Sequence, residues 1–170
     1  MNSLYKIRPL TPLDEPFLWE MLYEALYVPQ GQAPFPREII YEPKIRQYVE
    51  HWGKPDDIGY LALDRERPAG AAWLRKFNET NRGFGFIDDS TPELSIALLP
   101  AYRGRGIGSI LLNRLFELVK ERYTSISLSV SKENPARRLY ERMEFEVIKQ
   151  EGESLTMVKD LSNRAVGCWM

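Results

Sequence analysis

The chain has 170 residues, 44% hydrophobic and 28% charged, with a formal net charge of −1. That length supports a single compact domain with a real core, and the near-neutral balance gives no general reason to expect a nucleic-acid partner. A lone cysteine, Cys168, excludes an intrachain disulfide, and a lone histidine, His51, excludes a multi-histidine metal site. No apolar run approaches the ~18 residues of a membrane span. The opening residues Met1–Lys6 carry no apolar signal stretch, so the expected setting is cytoplasmic.

Tyr5–Arg8 reads as a short strand ended by Pro9. Thr11 or Asp14 can cap a helix running through Phe17–Leu26, with Leu13, Phe17, Met21 and Leu22 at helical spacing. Val28–Pro36 is too proline-rich for a helix, and a second helix is expected over Pro43–Trp52 before a turn at Gly53–Asp57. Ile58–Leu63 reads as a buried strand, reversing at Asp64–Pro68 into an antiparallel partner, Ala69–Phe77. Phe84, Phe86 and Ile87 are expected to continue this meander. A strand at Glu93–Leu99, an apolar helix after Gly108, a strand at Ser125–Val130 and a helix at Pro135–Met143 follow. Strands at Phe145–Gln150 and Leu155–Lys159 close the pattern, and the last ten residues form a tail without clear pattern. Residues 1–160 are therefore taken as one mixed α/β domain, with helices on both faces of its sheet.

The most informative segment is Pro100–Ser109, where a strand passes into a helix through Arg103-Gly104-Arg105-Gly106-Ile107-Gly108. Glycines there allow close backbone approach to a ligand, and the helix N-terminus adds unpaired N–H groups and partial positive charge. Together they suit a phosphate or pyrophosphate. The P-loop pattern fails because Gly-Lys-Ser/Thr is absent, and the dinucleotide pattern fails because Ser109 stands where its third glycine should be.

The R-x-x-G-x-G run from Arg103 to Gly108 resembles the coenzyme A loop of the GNAT (Gcn5-related N-acetyltransferase) superfamily. A second match lies downstream, where Asn134-Pro135-Ala136 leads through a helix to Tyr140 and Phe145. Glu144 departs from the pattern, since the family usually has glycine before that phenylalanine. The resemblance covers roughly Ile58 to Val158. It implies a central, mostly antiparallel sheet splayed at strands 4 and 5, acetyl-CoA as cosubstrate, no metal, and an amine-bearing small molecule or peptide as acceptor. It implies neither a nucleic-acid nor a membrane partner, and it is compatible with a homodimer.

The resemblance also assigns residues. Backbone groups of Leu98 and Leu99 would meet the pantetheine arm, with the Leu99 N–H as oxyanion donor. Arg103, Gly104, Arg105, Gly106, Ile107, Gly108 and Ser109 would cradle the pyrophosphate; the two arginines can equally be solvated surface charges. Tyr140 would be the general acid for the departing thiolate, or else a half-buried core tyrosine. Asn134 would touch the coenzyme arm, and it can also serve as an N-cap before Pro135. Glu93 would be the general base, or else a solvent-facing strand-end carboxylate. The implied function is N-acetyl transfer by direct amine attack; the alternative is a catalytically silent acyl-CoA sensor.

Overall fold

The computed structural model describes residues 4–162. Seven strands form one mixed sheet in the order β1-β2-β3-β4-β5-β7-β6. The contacts divide the chain into two compact units, one of residues up to Arg75 with Leu94–Leu115, the other of Lys76–Glu93 with the chain from Phe116. Cys168 and most of the expected tail lie outside the described residues. Among the described residues, no helix is long and apolar enough to cross a membrane.

In the first unit, β1 (Lys6–Pro9), β2 (Ile58–Asp64) and β3 (Arg67–Arg75) form an antiparallel meander. The β2–β3 turn is the two-residue link Arg65-Glu66, and Arg65 takes φ 61° to fit it. Both strands are buried nearly throughout, which explains their continuous apolar reading. Thr11 begins a 3₁₀ turn with a reciprocal cap: its hydroxyl accepts the Leu13 N–H, while the Asp14 carboxylate accepts the Thr11 N–H at 2.7 Å. Helix α1 follows at Glu15–Ala25 and buries Leu18, Met21 and Leu22. Leu13, expected on that buried face, belongs to the preceding 3₁₀ turn and is 89% exposed.

The expected helix over Pro43–Trp52 is regular only at α2, Pro43–Arg46. Tertiary partners take the groups that a longer helix would use. Arg75 Nη1 donates to the carbonyls of Gln47 (2.9 Å) and Glu50 (2.7 Å). The Glu15 carboxylate accepts the His51 and Trp52 N–H groups at 3.3 and 3.0 Å. The remaining Arg75 donors reach Asp57, Nε at 3.0 Å and Nη2 at 2.7 Å, in an ion pair whose side chains are each 3% exposed.

In the second unit, β5 (Ser125–Ser131) pairs antiparallel with β7 (Ser154–Asp160), and β7 with β6 (Glu146–Glu151). Of β4 (Glu93–Leu98) only Glu93 belongs to this unit, and it pairs in parallel with Ser127 of β5. The expected extra strand around Phe84–Ile87 does not form. Side-chain turns occupy the segment instead: Asn78 Oδ1 accepts the Thr80 and Asn81 N–H groups, and Asp88 Oδ1 accepts that of Ser90. Helix α3 (Ile107–Val119), which belongs to the first unit as far as Leu115, buries Ile107, Leu111, Leu112, Leu115 and Val119 completely. Leu118 sits at the edge of that stripe and is 47% exposed. Helix α4 covers Arg137–Arg142.

Removing one partner of the buried ion pair leaves a charge stranded in the interior. Asp57→Ala should therefore lower the unfolding free energy by about 3–5 kcal/mol, measured as a shift in the denaturant midpoint.

Candidate active site

The first unit holds the end of β4 and the loop into α3. Gly104 (φ 75°) and Gly106 (φ 82°) take left-handed backbone conformations that side chains rarely adopt, and a Cβ at either would meet nothing within 4 Å. The glycines here thus leave open space above the backbone. The first bond of α3 runs from the Ile110 N–H to the Gly106 carbonyl at 3.3 Å. The N–H groups of Ile107, Gly108 and Ser109 therefore lie in the opening turn, where helical partners are lacking. Open space, positive dipole end and two flanking arginines fit a pyrophosphate.

The two arginines are not loose charges. Arg103 Nη2 donates to Glu24 Oε1 of α1 at 2.8 Å, and its Nε to the Leu98 carbonyl at 3.3 Å. Arg105 lies 5.5 Å from the centre of the Tyr102 ring and donates to the Tyr5 hydroxyl at 3.4 Å. The Tyr102 hydroxyl in turn donates to Asp64 Oδ2 at 2.7 Å, which pushes its pKa up.

Leu99 directly follows β4. Its N–H, assigned as an oxyanion donor, donates to the Ala69 carbonyl of β3 at 2.9 Å, and its own carbonyl accepts the Tyr102 N–H at 2.9 Å. The β3 ladder has claimed that donor. Close approach of the two strands makes this possible: a Cβ at Gly70 would fall 2.2 Å from Leu98 Cδ2 and 2.8 Å from the Ala97 carbonyl. Backbone direction alternates along a strand, so the groups of Leu98 point away from β3.

The second unit holds Glu93, Asn134 and Tyr140. Glu93 is only 3% exposed, which overturns the solvent-facing alternative. Its Oε1 accepts the Gly85 N–H at 3.1 Å. Gly85 can sit there because it lacks a side chain: a Cβ would fall 2.7–2.9 Å from the Leu128 carbonyl group and Ser129 nitrogen. Ser127 pairs with Glu93 in register, so the two side chains share a sheet face. Ser127 Oγ is fully enclosed and has no hydrogen-bond partner among the described residues. Sequence reasoning passed over both Gly85 and Ser127. The Ser-x-Ser-x-Ser alternation of Ser125, Ser127 and Ser129 was the available signal for a hydroxyl-lined face.

Asn134 closes a turn just before α4, whose N-cap is Ala136: its Oδ1 accepts the Ala136 N–H at 2.9 Å and its carbonyl accepts the Arg137 N–H at 3.0 Å. Tyr140 is 9% exposed, and burial pushes its phenol up to about 12. The end of α4 explains how Glu144 replaces glycine. Glu144 itself takes φ 70°, with the Phe145 N–H bonded to the Tyr140 carbonyl and the Glu144 N–H to the Glu141 carbonyl, each at 3.0 Å. This is a Schellman cap, and its hydrophobic contact is the Tyr140–Phe145 edge-on ring pair, 6.0 Å between centroids. Lys159 Nζ completes it by donating to the Met143 carbonyl at 2.8 Å.

Glu144→Gly should relieve the left-handed strain and raise the unfolding free energy by about 0.5–1 kcal/mol in denaturant titration. Tyr140 gives a pH signature. Its folded pKa of about 12 lies above the ordinary value near 10, so between them the folded chain keeps a proton that the unfolded chain has lost. Stability therefore falls as pH rises through that window, and Tyr140→Phe should flatten the fall when thermal midpoints are compared.

The sequence profile described as the acetyltransferase (GNAT) family matches residues 17–145. The [ribosomal protein bS18]-alanine N-acetyltransferase of Haemophilus influenzae is 35% identical over 115 residues, which span 64% of this chain and 73% of that protein. Among solved structures, the PaiA N-acetyltransferase of Thermoplasma acidophilum in complex with coenzyme A superposes with a TM-score of 0.66 at 20% identity, covering 94% of this chain and 99% of that one. The ribosomal-protein-alanine N-acetyltransferase of Brucella melitensis gives 0.63 at 23% identity, covering 91% and 99%.

Proposed function

Since the chain belongs to the GNAT family of acetyltransferases, we propose that it moves an acetyl group from acetyl-CoA to a primary amine by direct attack in a ternary complex. The observation that carries the donor side is the cradle at Gly104 and Gly106, left-handed and open, at the start of α3. Its N–H groups and those of the first helical turn would hold the pyrophosphate, with Arg103 and Arg105 beside it. Bound acetyl-CoA supplies the activated thioester carbonyl.

The chain's own residues take the remaining tasks. Leu98, with backbone groups directed away from β3, replaces Leu99 as the residue serving the thioester oxygen. Glu93 takes the proton released by the attacking amine; its Oε1 already accepts the Gly85 N–H. Tyr140 keeps its proton at neutral pH and returns one to the departing thiolate. Asn134 fixes the turn that leads into the helix of Tyr140. An α-amino group on a peptide is the first acceptor to try, given the alanine acceptor named for the Haemophilus influenzae relative.

One observation favours the silent sensor as a second reading: Glu93 and Tyr140 are both buried, at 3% and 9% exposure. Thiol release from acetyl-CoA against alanine-terminated peptides, polyamines and aminoglycosides separates the two. The enzyme reading expects release with at least one acceptor, and a fall of roughly 10²–10⁴ in kcat for Glu93→Gln and for Tyr140→Phe, with acetyl-CoA affinity retained. Tight acetyl-CoA binding without release for any acceptor would give the sensor its case. Failure to bind acetyl-CoA would sink both.

A further inference from the structure

Arg103 stands at the start of the coenzyme loop, yet its guanidinium is already engaged by Glu24 Oε1 at 2.8 Å and by the Leu98 carbonyl at 3.3 Å. Glu24 lies in the last turn of α1, and Leu98 ends β4. One side chain thus joins three elements of the first unit: α1, the end of β4 and the glycine loop. The Glu24 side chain is 19% exposed, while that of Arg103 is 52% exposed. The carboxylate is the more sheltered partner and the arginine the freer one, so the arginine is the group able to swing away.

We propose that Glu24 competes with the coenzyme pyrophosphate for Arg103, so that coenzyme binding exchanges the arginine's partner and releases the C-terminal turn of α1. The proposal rests on the coenzyme reading of the glycine loop given above. A guanidinium presents its donors in one planar fork, and a phosphate takes that fork as readily as a carboxylate does. Leaving Glu24 for a phosphate therefore costs the arginine little. The carboxylate then loses its Arg103 partner. Competition for a shared partner makes the coupling negative: whatever holds Arg103 on Glu24 weakens the coenzyme, and by reciprocity the coenzyme loosens α1. The segment after α1, from Leu26 to Pro36, has no helix or strand of its own, so loosening the last turn would extend into it. Donor binding would thus be communicated to the N-terminal helix without any change in the sheet.

The experiment is calorimetry with coenzyme A on the full chain and on Glu24→Gln, Arg103→Gln and the double variant. An exposed pair of this kind sets the scale, so Glu24→Gln should tighten binding about two- to fivefold. Arg103→Gln should weaken binding, and the double variant should match Arg103→Gln alone. Backbone hydrogen exchange at Tyr23–Leu26 should speed up in the parent on adding coenzyme A, and should be fast from the outset in Glu24→Gln. Unchanged or weaker binding by Glu24→Gln overturns the competition. So does an equal tightening in the Arg103→Gln background, because it would reflect long-range repulsion from the Glu24 charge. If Arg103→Gln binds as the parent does, the competition has no subject. The cradle itself is tested apart from it by Gly106→Val, whose side chain fills the open space: parental affinity in that variant would overturn the coenzyme reading of the loop.

Discussion

The buried pair of Arg75 and Asp57 organises most of what is irregular in the first unit. The N–H donors of a guanidinium need partners when it leaves water, and here the carboxylate and two backbone carbonyls take four of the five. Asp57 repeats the pattern from its own side, its Oδ2 also accepting the N–H groups of Gly53 and Lys54 at 3.0 and 2.9 Å. Such a pair is a poor source of net stability against well-packed apolar residues, because desolvation offsets the Coulomb gain. Its consequence is specificity of shape. Arg75 ends the most buried strand, so the 42–57 segment is folded onto a fixed point and cannot settle for a generic helix. Trp73 Nε1 bonding the Tyr48 carbonyl at 2.9 Å, and Glu15 holding the His51 and Trp52 N–H groups, complete that hold.

This hold explains why local patterning misplaces the segment while it marks the strands around it. The meander of Ile58–Leu63 and Ala69–Phe77 rests on local information: apolar runs, β-branched and aromatic residues, and a tight polar reversal. The helix expected over Pro43–Trp52 had equally good local credentials. It stops at Arg46, and beyond that point Arg75, far along the chain, takes the Gln47 and Glu50 carbonyls. The 78–92 segment failed for the opposite reason. Its phenylalanines suggested a strand, but Asn78 and Asp88 bond the neighbouring N–H groups at short range, and side-chain turns of that kind compete with any ladder.

The site divides along the same line. The glycine loop was legible because conformation demands the residue type: two left-handed positions with nothing to receive a Cβ are where glycine is expected. Glu144 tests that logic from the other side. Its departure from the family pattern left the end of α4 open, yet the backbone takes the left-handed conformation regardless. The Tyr140–Phe145 contact and Lys159 on the Met143 carbonyl support it. The burial of Glu93 was not legible. Alternation along β4 assigns a face, but the cover on that face comes from Gly85, eight residues earlier in a segment without regular structure.

The end of β4 shows how a one-residue difference redistributes chemistry. A strand offers its N–H groups alternately to its two edges, so only every second residue can serve a ligand on a given edge. Leu99 and Leu98 look equivalent as two adjacent leucines before a proline. The choice between them is made in β3, where Gly70 admits β4 close enough for the Ala69 carbonyl to take the Leu99 N–H. That bond commits Leu99 to the sheet and turns the Leu98 backbone the other way, with the Leu98 carbonyl already met by Arg103. The residue that shapes the acyl end of the proposed site is therefore a glycine in a neighbouring strand, with no reactive group of its own. Its effect is steric, and it reaches the ligand only through the register of a hydrogen-bonded ladder.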